Sequence, residues 1–272
     1  MSAPTVHLDF NSIAASYLKQ SAGVTRVVSI HLLDLIPPIT SSSVIHDNAC
    51  GPGVTALDIL DRCKRLNITP PPKIHCTDKF DGMVNVLRSV VMEQDLSNII
   101  TAEVMDSADL STIPDTTFTH SITNFGLFLA DSAKGAREIY RTLKPGGAAG
   151  VTVWKKAGNM ELAYKVQKTI KPEAEMEWPV SIDWTKEGYL ASVLEEGGFE
   201  KSKISVSEKE VLVKLDDVEE FVELLGSTFY EPFRRDMTEE ERTTVWNENL
   251  RRVVREDGLQ FKMVAWVAVA EK

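Results

Sequence analysis

Asp47, Asp78 and Asp106 are the residues around which chemistry can be organised. Asp47 stands directly before a glycine-rich turn in VIHDNACGPGVTALDIL, Asp78 closes IHCTD, and Asp106 lies in AEVMDSADL. Each ends a short run that reads as a β-strand, near 44–47, 74–78 and 99–106. Three carboxylates at the carboxyl ends of consecutive strands line one crevice, where open α/β sheets bind ligands. An ionised carboxylate only accepts hydrogen bonds. The set therefore suits a ligand with an ammonium, a vicinal diol and an amino group, and it gains little from a pyrophosphate. Gly51 and Gly53 let the backbone approach that ligand, and the following helix offers free N–H donors.

Those residues need a frame. Further strands are predicted at 119–124 and 148–154, and helices at 53–66, 80–94 and 132–144. This alternation predicts a parallel sheet with helices on both faces. Residues 9–35 carry apolar positions at helical spacing, with Gly23 as a break and Pro37-Pro38 as the stop. Past Trp154, helix-like stretches cover 158–171 and 184–197, the second closed by Gly197-Gly198. Two strand-like runs, Ile204 to Leu215 and Phe261 to Ala270, flank a helical insertion at 216–256. The run FKMVAWVAVA is apolar on both faces and belongs inside a sheet.

Composition narrows the classes. The chain has 272 residues, 43% hydrophobic and 26% charged, with 30 Lys+Arg against 40 Asp+Glu and a net charge of −10. That is a globular balance. The acidity and the lack of a basic run argue against nucleic acid and anionic membranes as partners. The longest apolar run, Met263 to Ala270, is too short to span a bilayer, and MSAPTVHLDF lacks a secretory pattern. Cytoplasmic localisation is expected. Cys50, Cys63 and Cys76 read as reduced thiols, and the scattered histidines 7, 31, 46, 75 and 120 predict no metal site. His120 reads as a core histidine, and Cys50 has no paired base. Oligomeric state stays open.

Taken alone, GPGVTA (Gly51 to Ala56) also fits the G-x-G-x-x-A dinucleotide turn, with Asp78 placed for a ribose. A nicotinamide-dependent oxidoreductase is therefore an alternative. The wider pattern, DNACGPG, TDKFDGM, VMDSADL, THSITNFGLF and LKPGG over about 44–154, resembles the class I S-adenosylmethionine-dependent methyltransferases. The DNACG form and the N-terminal helices are similar to a small-molecule branch of fungal secondary metabolism that includes gliotoxin-type thiomethyltransferases. The resemblance implies a Rossmann-like, seven-stranded, mostly parallel sheet with an antiparallel last strand, helices on both faces, and N- and C-terminal helical lids. It implies a single domain over 1–272: cap helices in 1–38, a cofactor core in 44–154, lid elements in 155–200 and 216–256, and closing strands in 201–215 and 260–270.

S-adenosylmethionine is the implied cofactor and S-adenosylhomocysteine its product, with methyl transfer to an O, N or S atom of a small metabolite. A methyltransferase-fold protein that binds the cofactor without transferring methyl is a further alternative. Asp47, Asn48, Ala49, Gly51 and Gly53 are implied to meet the methionine portion, with an Asx-type hold on the turn as the other reading of Asp47. Ala49 departs from the family pattern, which has Gly there. Asp78 is implied to accept from the ribose hydroxyls, or to cap the next helix. Lys79 and Met83 flank the adenine, with core filling as the other reading of Met83. Asp106 accepts from the adenine amino group beside Ser107, and its alternative is a solvated loop acid. Asn124 and Phe125 line the methyl region, or Phe125 is core, and Tyr17 covers the cofactor or merely packs. His31, Trp154, Trp178 and Trp184 are candidates for the substrate wall, with structural packing the alternative for each. Displacement at a sulfonium gains from alignment in an enclosed apolar site rather than from charge stabilisation. No catalytic base is assigned.

Overall fold

The computed structural model describes residues 10–14, 17, 23–176 and 181–272. The strands are β1 (Val44–Asn48), β2 (Lys73–Asp78), β3 (Ile100–Val104), β4 (Phe118–Asn124), β5 (Leu143–Ala157), β6 (Ile204–Lys214) and β7 (Gln260–Glu271). They form one sheet in the order β3-β2-β1-β4-β5-β7-β6. β1 to β5 are parallel, and β7 runs antiparallel to both β5 and β6. The mixed sheet with an antiparallel last strand is the expected architecture.

The helices are α1 (Phe10–Ile13), α2 (Val24–Leu35), α3 (Val54–Arg65), α4 (Asp81–Glu93), α5 (Ser132–Thr142), α6 (Gly158–Ile170), α7 (Tyr189–Gly197), α8 (Val218–Gly226) and α9 (Trp246–Glu256). The apolar run of β7 has a plain cause. Ala265, Val267 and Val269 join the core beneath α2, α3 and α4, while Trp266, Ala268 and Ala270 join the core beneath α5 and α7. Alternate residues of a strand point to opposite faces, so a strand covered on both sides must be apolar throughout.

The helical reading of 9–35 breaks at Gly23 (φ 68°), as expected, and α2 starts afresh at Val24. Other elements differ from the sequence pattern. The reading of 184–197 splits at Gly188 (φ 81°) into a 3-10 turn, Ile182–Thr185, and α7. In the 216–256 insertion, Pro232 sits in a 3-10 turn, Thr228–Phe233, and a π turn, Glu241–Val245, leads into α9.

α2 starts over the carboxyl ends of the strands, where the Asn124 amide donates to the Thr25 carbonyl (3.1 Å). It then crosses β5 so closely that a side chain at Gly150 would meet Leu32 and Ile36 at 3.0–3.1 Å. The insertion has a core of its own. Phe221, Tyr230, Trp246 and Leu250 bury against Ala163 and Val166 of α6 and Met263 of β7. Val24 at the start of α2 belongs to the same cluster. Among the described residues, no helix is long and apolar enough to cross a membrane.

Candidate active site

The turn after β1 is built on three left-handed residues: Ala49 (φ 52°), Gly51 (φ 55°) and Gly53 (φ 89°). The two glycines have different reasons. A side chain at Gly53 would lie 2.4 Å from Leu87 of α4, so that position is demanded by packing. A Cβ at Gly51 would meet nothing within 4 Å, and Gly51 lines a cleft with Asp78, Asp106 and Phe125. The cleft lies at the carboxyl ends of β1, β2 and β4, where the sheet topology predicts it.

Asp78 anchors the cleft floor. Its Oδ2 accepts from Gly51 N–H (2.9 Å) and its Oδ1 from Phe80 N–H (2.9 Å). Each oxygen thus holds one backbone donor and keeps lone-pair capacity for a ligand. Burial raises the Asp78 carboxyl above its ordinary value, against the pull of those two N–H groups and of Lys79. Tyr17 lies close by; burial and the Asp78 charge push its phenol up to about 12, so it remains an O–H donor.

Asp106 and Ser107 line the same cleft. Asp106 Oδ1 accepts from Ala108 N–H (2.8 Å), and Ser107 is buried. Lys79 reaches across to donate to the Leu129 carbonyl (3.1 Å). Met83 is both lining and core: it is buried with Ala14 and packed by Phe10, Tyr17, Phe80 and Phe229. Asn124 and Phe125 line the opposite end. The Asn124 carbonyl accepts from Thr152 Oγ1 (2.7 Å). Phe125 sits at φ 59°, its N–H shared between the Thr152 hydroxyl (3.0 Å) and carbonyl (3.2 Å). Its ring stacks on Trp154 at 3.8 Å.

Several expected residues stand behind the cleft. Asp47 is fully buried, and its Oδ2 accepts from Ala56 N–H (3.0 Å). Burial pushes its carboxyl well up, with the Ala56 N–H opposing. Asp47 thus holds the turn through an amide in the first turn of α3 rather than through the local Asx geometry. Asn48 is buried and donates to Thr123 Oγ1 (3.1 Å). Trp154 backs Phe125. Trp184 is buried in the α5–α7 core, edge-on to Tyr189 and Phe128. His31 is not brought to the cleft; burial lowers its pKa, and its charged neighbours are Lys209 of β6 and Asp34. Trp178 lies outside the described residues. His120 is the expected core histidine, bonded to the Pro37 carbonyl (3.2 Å). Cys50 is buried against Cys76, and the bond to that thiol, followed by burial, raises its pKa, the opposite of nucleophile activation.

Sequence reading missed Phe10, Phe80, Gly126, Leu129 and Ala130 as lining residues. Phe80 and Leu129 had a signal in their adjacency to Lys79 and to NFGLF. Gly126 lies within NFGLF, but the need for glycine there had no signal, because its reason lies 77 residues away: a Cβ there would fall 2.3 Å from the Ala49 methyl.

Comparison with known proteins agrees with this geometry. Residues 45–147 match the family model described as a methyltransferase domain. The chain is 26% identical over 244 residues to methyltransferase tpcH of Aspergillus fumigatus, covering 84% of each. Its fold is similar to YcgJ from Bacillus subtilis, with TM-score 0.57, 14% identity and coverage of 90% and 97% of the two chains. It is also similar to phosphoethanolamine N-methyltransferase 2 of Haemonchus contortus, solved with phosphomonomethylethanolamine and S-adenosylhomocysteine. There the TM-score is 0.54 at 16% identity, covering 90% of this chain and 52% of the other. The open space at Gly51, the two-pronged Asp78 and the acidic Asp106 fit the adenosyl ligand that the motifs imply. The sheet order, the glycine turn with its three acids and the match over residues 45–147 agree on a methyltransferase domain, and the chain resembles the class I S-adenosylmethionine-dependent methyltransferases.

Proposed function

We propose that the enzyme methylates an O, N or S atom of a small metabolite, in secondary metabolism and in the cytoplasm. One observation carries the small-molecule reading. Phe229 of the 216–256 insertion packs on the Met83 cluster that walls the cleft, so the insertion reaches the back of that wall. A concave site walled by side chains of one chain suits a metabolite rather than a macromolecule. The relative tpcH is itself a fungal methyltransferase.

The bound cofactor supplies an electrophilic methyl group on a sulfonium. In this reading Asp78 accepts both ribose hydroxyls and Asp106 accepts from the adenine amino group, with Ser107 beside it. Lys79, Met83 and Tyr17 enclose the nucleoside. The backbone of Ala49 and Gly51 and the side chains of Asn124 and Phe125 shape the methionine and methyl end. Asp47, Asn48 and Gly53 hold the turn from behind. The stacked Phe125–Trp154 pair gives the acceptor end an apolar wall that excludes water and aligns reactants, which suits a displacement driven by proximity. The whole chain works as one domain: residues up to 38 as cap, 44–154 as cofactor core, and 155–200 and 216–256 as lid.

The test is transfer of tritiated methyl from labelled S-adenosylmethionine into an organic extract of the source organism, with Asp78→Ala as control. Label in the extract that Asp78→Ala abolishes supports the proposal. Label confined to protein or nucleic acid overturns it. Thermal-shift titration separates the oxidoreductase alternative, which requires a shift with NADH and none with S-adenosylhomocysteine.

A further inference from the structure

The loop between β3 and β4 carries Asp106 and Ser107, and its far half is gripped by one side chain of α5. Arg141 Nη1 donates to the Ile113 carbonyl (2.8 Å) and to Asp115 Oδ1 (2.7 Å). Its Nη2 donates to the Leu110 carbonyl (2.8 Å). The same guanidinium pairs side-on with Glu138, Nε to Oε1 at 2.8 Å and Nη2 to Oε2 at 2.7 Å. Glu138 Oε2 in turn accepts from Leu110 N–H (2.8 Å). Both N–H and C=O of Leu110 are therefore held by one ion pair, and Leu110 is fully buried. Between Leu110 and Asp106 the loop is a single tight turn, Asp109 N–H to the Asp106 carbonyl at 2.9 Å. On the other side, Met105 N–H donates to the Asp78 carbonyl (2.9 Å). The segment bearing Asp106 is thus fixed at both ends, by β2 and by the Arg141–Glu138 pair.

The pair is half-buried, with 28% and 18% of the two side chains exposed. Bidentate, partly desolvated pairs of this kind fix geometry where open surface pairs do not. α5 also comes close to the loop from below. A side chain at Gly135 would lie 2.9 Å from Leu127 and 3.6 Å from the Ser107 carbonyl.

We propose that Arg141 and Glu138 are positioning residues for nucleobase selection, holding Asp106 where it tells an adenine from a 6-oxopurine. The inference rests on the reading that Asp106 faces the adenine amino group. An acceptor-only carboxylate attracts an exocyclic amino group and repels a carbonyl oxygen. That discrimination lasts only while the carboxylate is held against the base. A loosened loop lets Asp106 turn to solvent, and the two bases then bind alike. Arg141→Lys keeps the charge but loses the planar fork, so it cannot reach Leu110, Ile113, Asp115 and Glu138 at once.

The experiment is calorimetric titration of the full chain with S-adenosylhomocysteine and with its deaminated analogue, S-inosylhomocysteine. The natural chain should bind the adenosyl ligand at least about tenfold more tightly. Arg141→Lys and Glu138→Gln should each lower that ratio at least threefold while adenosyl binding stays measurable. Val253→Ala serves as a control for stability alone. Val253 is buried in the core of the insertion with Leu250 and Val166, away from the β3–β4 loop. It should lower the melting temperature and leave the ratio unchanged. If the natural chain shows no preference, the assignment of Asp106 fails. If the preference exists but survives in Arg141→Lys and Glu138→Gln, or falls equally in Val253→Ala, the positioning role fails.

Discussion

Ala49 and Gly126 share one space. A non-glycine residue in the left-handed region costs roughly 1–2 kcal/mol, yet Ala49 sits there where related turns carry glycine. Its methyl occupies the place a side chain at Gly126 would take. Gly126→Ala should therefore destabilise by about 1–3 kcal/mol through overpacking. The same change in an Ala49→Gly background should lose most of that penalty, as a double-mutant cycle of thermal denaturation would show. The departure at Ala49 was legible in the sequence; its partner was not, because nothing local marks a contact between two loops. Asp78 makes a second prediction. Its carboxyl is raised by burial in the free enzyme, while ribose hydroxyls donating to it would favour the charged form. Affinity for S-adenosylhomocysteine should be full at neutral pH and fall as pH drops through the raised pKa of the free enzyme. Asp78→Asn should weaken binding about 10- to 100-fold and flatten that dependence. Asp47 shows the limit of reading roles from motif position. Its type and place were right for a ligand, but a carboxylate one turn before a helix can equally face the helix amides, and here it does.

β5 holds Phe125 twice. Thr152 and Trp154 lie two residues apart, so their side chains share a face of the strand. One bonds the Phe125 backbone and the other carries its ring. The Thr152 hydroxyl also fixes the Asn124 amide, whose other end ties down the start of α2. Thr152→Val keeps the shape and should cost about 1–3 kcal/mol, since it leaves the Asn124 side-chain oxygen without its donor and the Phe125 N–H with the Thr152 carbonyl alone. Thr152→Ser should recover most of the loss; denaturant titration of both variants checks this. The strands and most helices were readable because their burial is periodic. Ile45, Ile74, Ile100 and Ile122 all point to the same core, and the alternation shows. The break at Gly188 was harder than the one at Gly23, because a left-handed glycine interrupts a helix without disturbing the apolar spacing on either side. The Arg141–Glu138 grip on the β3–β4 loop was not legible at all. It joins side chains on α5 to backbone carbonyls, and a carbonyl has no sequence signature.

The insertion between β6 and β7 is the part of the molecule that the motifs say least about, yet it has its own core. Trp246 is fully buried there, beneath the Arg234 guanidinium 5.5 Å from its ring. Trp246→Ala should cost about 3–5 kcal/mol. Because the cluster rests on α6 and β7 rather than on β1 to β4, limited proteolysis should find new cuts within 216–256 while residues 45–147 stay protected. The insertion also sets the order in which the sheet can close. β6 pairs only with β7, and β7 alone joins it to β5. On the ribosome, β6 therefore emerges with no strand to pair with, and residues 215–259 must be made before its partner appears. At usual elongation rates that is a wait of roughly 2 to 9 s. During it, β5 shows an open edge and β6 an exposed ribbon. The charged pattern Glu208-Lys209-Glu210 lies in the middle of that ribbon, where it discourages pairing with a neighbouring nascent chain until β7 arrives to claim both edges.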